Sequence, residues 1–100
     1  MEKLKLKFEN ELRDKMFIAK KECKYNPTYF NRMLSEIGGV STAKQLIKKA
    51  IDTGKPSDGF ITLLLEGRLD LTMEDSVCNP EYESLFEPFE IDYCKKILGR

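Results

Sequence analysis

A chain of 100 residues, 41% hydrophobic and 34% charged, holds one domain with enough apolar surface for one core and fits a globular rather than a disordered protein. Its 17 basic and 17 acidic residues cancel, and no apolar run nears the roughly 20 residues that span a bilayer. Histidine is absent, so the commonest general base near neutral pH and the mixed Cys/His zinc sites are excluded.

Cys23, Cys78 and Cys94 are odd in number and far apart, and none forms a CxxC pair. They read as reduced packing residues, with no metal and no cofactor. The first residues, MEKLKLKFENELRDK, are charged throughout and lack the apolar centre of a signal peptide. A cytoplasmic protein without membrane contact is expected. The charge is unevenly spread: residues 1–55 carry 13 Lys/Arg against 7 Asp/Glu, a balance of +6, and residues 56–100 carry 4 against 10, a balance of −6. Either the halves attract each other or stay solvated, or the split guides a partner.

The first element is a long helix. Leu4, Phe8, Leu12, Met16, Ala19 and Cys23 recur every three or four residues, a stripe about 120° wide at helical pitch. Lysines 3, 7, 15, 20, 21 and 24 lie largely off it. Asn26-Pro27 reads as a helix start, with Asn as N-cap and Pro at the first helical position. Phe30, Met33, Leu34 and Ile37 follow at helical spacing, and Gly38-Gly39 stops the second helix. Ser41 is the expected cap of a third, with Val40, Ala43, Ile47, Ala50 and Ile51 inward and Lys44, Lys48 and Lys49 on other faces.

TGKPSDG, residues 53–59, is a turn-rich connector, and Ser57 or Asp58 caps a fourth helix. Phe60, Ile61, Leu63, Leu64 and Leu65 make that helix apolar nearly all round, which predicts the central, most buried element. Gly67 falls just past its end. Leu69 and Leu71 alternate with Asp70, as in an extended link, and Thr72 caps the next helix with Glu74 and Asp75 at its positive end. Arg68 and Asp70 are left to bond each other, neighbouring backbone or a ligand. Asn79-Pro80 opens a short helix and Glu87-Pro88 a last one, ended by Gly99. No alternating β-branched run is present. The expectation is an all-α fold: a compact array of about six mostly short helices with a long N-terminal amphipathic helix. Residues 1–100 form a single domain, with a basic amphipathic helix over 1–24 and a compact helical core over 25–100.

The series YNPTYFNRML, GGVSTAKQLI, PSDGFITLLLEGRLDLTMED and NPEYESLF resembles a family of small helical bacterial proteins, themselves uncharacterised, that carry the pattern YNPTYF…GGVSTAK…SDGF…GRLDLT. The likeness runs from Tyr25 to about Leu98 and is most specific at Ser57-Asp58-Gly59-Phe60 and Gly67 to Thr72. It implies a compact helical domain, standing alone or attached to larger proteins, and brings no activity with it.

Three functional classes follow from the residues. Catalysis has little to work with: the serines have no histidine to activate them, and a carboxylate site from Asp58, Asp70, Glu74 and Asp75 competes with the usual role of such residues as caps. No catalytic residue, and no enzyme, is expected. Nucleic-acid binding has the outline of a helix-turn-helix over residues 28–51, with Lys44, Gln45, Lys48 and Lys49 toward phosphates or base edges. Its register is off, because Gln45 stands about six places after Gly39, where an apolar residue belongs. A non-catalytic protein-interaction module is the first choice. Arg68, Asp70, Tyr25 and Tyr29 are its candidate contacts, and the first helix is the candidate element for a homodimer.

Overall fold

The structure, a computed structural model, describes residues 2–100. Among the described residues it is all-helical, with no strand. Helix α1 spans Glu2–Cys23, α2 Thr28–Ile37, α3 Gly39–Thr53, α4 Asp58–Leu65, α5 Met73–Val77 and α6 Pro88–Leu98. Two 3-10 segments, Leu69–Leu71 and Pro80–Leu85, precede and follow α5.

The 22 residues of α1 make a rod about 33 Å long, which matches the 32 Å longest dimension of the molecule. The other elements wrap this rod. Its stripe residues Phe8, Leu12, Met16 and Ala19 are all buried. Phe8 and Leu12 join Leu34, Ala43, Ile47, Val77, Leu85 and Cys94 in the main cluster. The Phe8 ring meets Tyr82 and Phe86 edge-on, each at 5.1 Å between centroids, the favoured aromatic geometry. Met16 and Ala19 carry the core on to Leu63 and Leu71. Residues 25–100 therefore share their interior with α1.

Polar side chains of α1 tie down what packs on it. Lys7, Glu11 and Lys15 stand four residues apart, on one face. Lys7 pairs with Glu81. Glu11 accepts from the Tyr82 hydroxyl at 3.0 Å and from Ser76. Lys15 donates to the Thr72 carbonyl at 3.1 Å and to Asp75 at 3.0 Å. These contacts hold α5, whose five residues are too few to stay helical unaided.

Several starts and stops follow the expected chemistry. Ser57 accepts from Phe60 N–H at 3.2 Å, Thr72 from Asp75 N–H at 3.1 Å and Asn79 from Glu81 N–H at 3.0 Å. Glu87 and Glu90 form a reciprocal capping box. The carbonyls of Leu63 and Leu64 are closed by Arg68 N–H at 2.8 Å and Gly67 N–H at 3.1 Å, a Schellman end to α4.

Four expectations are corrected. Pro27, not Asn26, precedes the first helical residue of α2, without a side-chain cap. Helix α3 begins at Gly39 and not at a Ser41 cap: Gly38 alone breaks the chain, with φ of 83°, and Glu9 of α1 accepts from Gly39 N–H at 3.1 Å. A Cβ on Gly39 would lie 2.8 Å from the Glu9 Cα, so glycine lets α1 and α3 touch backbone to backbone. Helix α4 is an edge element, not the central one. Its eight residues bury only Phe60 and Leu63, and Leu65 is 82% exposed, because α1 already fills the middle. Leu69–Leu71 is a 3-10 turn and not an extended link; it buries Leu71 while Thr72 N–H bonds the Leu69 carbonyl at 3.2 Å.

Lys24, just past α1, has φ of 56°, a left-handed conformation that costs a side-chain-bearing residue about 1–2 kcal/mol. Lys24→Gly should raise the urea midpoint by the equivalent of about 1 kcal/mol. Leu12→Ala should lower stability by about 2–5 kcal/mol, while Leu6→Ala on the exposed side of the same helix stays within about 0.5 kcal/mol.

Candidate functional site

The starts of α2, α4 and α5 and the end of α3 surround a cleft of about 720 Å³, within the range of ligand pockets. Met16, Phe30, Leu46, Ala50, Leu63 and Met73 make it apolar. Tyr25 and Tyr29, with Lys49 and Lys55, line its polar side together with Ser57, Asp58 and Glu74.

Glu74 is the unusual member. It is 3% exposed, whereas Asp75 beside it is half-buried. The Ser57 hydroxyl donates to its Oε2 at 3.2 Å. It stands in none of the ion pairs among the described residues. Burial pushes the Glu74 carboxyl above its usual range, against the smaller opposing pull of its own N–H, Ser57 and Lys15. The ammonium of Lys15 is itself bonded to Asp75 and to the Thr72 carbonyl.

Tyr25 is half-buried, and its hydroxyl sits 2.9 Å from where a Gly59 Cβ would be. Residue 59 lacks a side chain because the tyrosine lies on it. Burial raises the Tyr25 pKa, and so do the charges of Asp58 and Glu74. Tyr25, Asp58 and Glu74 thus share one corner of the cleft. Ser57 is held in place twice, accepting from Phe60 N–H as the α4 cap while its proton goes to Glu74.

The residues singled out from the sequence separate into groups. Tyr25, Tyr29 and Lys49 line the cleft. Arg68 and Asp70 do not; they bond each other through two contacts of 3.1 Å, and Arg68 also reaches Glu22. The guanidinium holds Asp70 below the usual carboxylate range, and the two carboxylates hold the arginine above its own. Lys44 is fixed by Glu90 at 2.7 Å and lies over the Phe86 ring. Lys48 bonds Asp52 at 3.1 Å on the surface, and Gln45 is exposed beside it. One residue, Gly38, separates α2 from α3, where a helix-turn-helix uses about three or four. The stripe of α1 is covered within the chain, leaving Leu6 and Phe17 exposed on that helix.

The four carboxylates considered together do not converge. Asp58 and Glu74 meet at the cleft, Asp70 faces Arg68, and Asp75 lies between Lys15 and Arg100. Burial opposes the Asp75 charge, but the bonds from Arg100 and Lys15 bring its pKa down. Among the described residues no group of three or more side chains suits a metal ion, and no helix is long and apolar enough to cross a membrane. The cleft also uses Ser57, Phe60, Ile61 and Lys55, which the sequence presents only as cap, core and connector. The pairing of Ser57 with Glu74 across 17 positions has no local signature.

Glu74 gives a pH signature of known sign. Its folded pKa lies above the ordinary 4.5, so from there upward the folded chain binds more protons than the unfolded chain. Its contribution to stability falls as pH rises through that window. Glu74→Gln keeps an acceptor for Ser57 and removes the charge. Urea midpoints at pH 4 and pH 7.5 should show the variant gaining on the parent chain at the higher pH; an equal difference at both would mean that Glu74 titrates normally.

Comparison with family models, with curated proteins and with solved structures returns no match, so the functional reading rests on geometry.

Proposed function

We propose that this protein is a non-catalytic interaction module that holds a segment of a protein partner in the cleft between α2, α3, α4 and α5. The single observation behind this is the cleft itself, about 720 Å³ with an apolar floor and tyrosines at its mouth. Tyrosine suits such a rim, because its ring packs while its hydroxyl stays wet. Tyr29 is 66% exposed, and Ile61 extends the apolar surface outward along α4. A cytoplasmic setting suits the three free thiols, of which the Cys94 thiol is kept protonated by burial.

Nucleic-acid binding through residues 28–51 has less support, since Lys44 is engaged by Glu90 and Lys48 by Asp52. Retardation of duplex DNA that weakens steeply with salt would favour it.

Random 12-residue peptides selected on the immobilised full chain test the docking reading. Peptides that bind should lose about ten-fold in affinity on Tyr29→Ala and on Ile61→Glu, read by fluorescence anisotropy. Selected peptides indifferent to both changes would place binding elsewhere and remove the reading.

A further inference from the structure

We infer that the corner formed by Glu74, Asp58 and Tyr25 receives the alkylammonium group of a lysine side chain on the docked partner, with Glu74 as its counter-ion. This rests on the cleft being the docking site and adds the chemistry of its occupant.

Two acidic side chains of this fold are buried, and they differ in one respect. Glu90, 5% exposed, has the Lys44 ammonium at 2.7 Å. Glu74, 3% exposed, has no cation of its own. A buried carboxylate is costly without a paired charge, and Glu74 lines the cleft, which is open to a charge from outside. The groups that face it are Lys15 from α1, Tyr25, Asp58, and Tyr93 and Cys94 from α6, with Cys78 past α5. Lys15 alone among them is cationic, and it is bonded to Asp75. An anion in this corner would meet Asp58 and Glu74 together.

The shape of the site selects lysine over arginine. One carboxylate oxygen of Glu74 already accepts from Ser57. A guanidinium fork that reaches both oxygens must share one of them with Ser57, whereas a compact ammonium can use the other alone. The butyl stem of a lysine would lie along the apolar wall of Phe60 and Met73. Lys49 and Lys55 also line the cleft; they disfavour a second cation and suit carbonyl or carboxylate groups of the same segment.

The test uses the ¹⁵N-labelled full chain at neutral pH, titrated in parallel with n-hexylammonium, n-hexanol, hexanoate and n-hexylguanidinium. Saturable amide shifts at Ser57–Phe60 and Met73–Asp75 are expected with hexylammonium, at a Kd about ten-fold below that of hexanol. Glu74→Gln should bring hexylammonium to the hexanol level, with amide positions outside the cleft unchanged, which shows that the variant is folded. Equal binding of hexanol and hexylammonium overturns the counter-ion role. Tighter hexanoate binding overturns it in favour of the rim lysines, and tighter hexylguanidinium binding overturns the choice of lysine. Absence of any saturable shift in the cleft overturns the inference outright. The selected 12-mers separate this failure from that of the docking reading. Peptides without lysine, sensitive to Ile61→Glu but not to Glu74→Gln, would keep the docking site and discard the ammonium.

Discussion

Burial of one face of α1 is the constraint on which the remaining structure depends. Phe8, Leu12, Met16 and Ala19 meet residues from α2, α3, α4, α5, α6 and both 3-10 segments. Each large side chain so covered is worth about 1.5–3 kcal/mol, more than the ion pairs around it, which are individually weak where exposed. Those polar contacts decide geometry instead. Glu11 and Lys15 set where α5 sits, and α5 is too short to set its own position. The burial of Glu74 therefore follows from the side chains of another helix, far away in the chain.

The uneven charge has an internal use. Lys7 with Glu81, Lys15 with Asp75, and Lys44 with Glu90 each join the basic half to the acidic half. Two of these pairs are partly shielded from water, where screening is weaker, and the Lys44 ammonium gains further from the Phe86 ring. The asymmetry thus acts first within the fold. Lys49 and Lys55 leave basic charge at the cleft, which the carboxyls of Asp58 and Glu74 also line. The cleft thus carries both signs of charge beside its apolar floor.

The two buried glutamates show what context does to one side chain. Glu90 closes a capping box and accepts from a lysine, so its charge is balanced within the chain. Glu74 has one hydroxyl donor but no balancing cation. The first arrangement balances the charge within the fold; the second leaves the carboxyl buried with a hydroxyl alone.

The amino-acid order by itself determined the helical class, most of the caps and the buried stripe of α1, because these depend on residues within a turn or two of one another. Ser57, Thr72 and Asn79 cap where their chemistry predicts, and Arg68 bonds Asp70 two positions away. Tertiary structure decided what faces each apolar stripe and which polar group loses its water. The apolar run Phe60–Leu65 shows only that α4 must bury some face, so its edge position emerges from competition with α1 for the centre. Helix α3 starts at Gly39 because Glu9, thirty residues earlier, supplies the cap. Glu74 and Asp75 look alike in the sequence, both acids at the start of one helix. A turn of about 100° between neighbours sends the first into the interior and the second toward Lys15 and Arg100, and only the packed neighbours determine which side is dry.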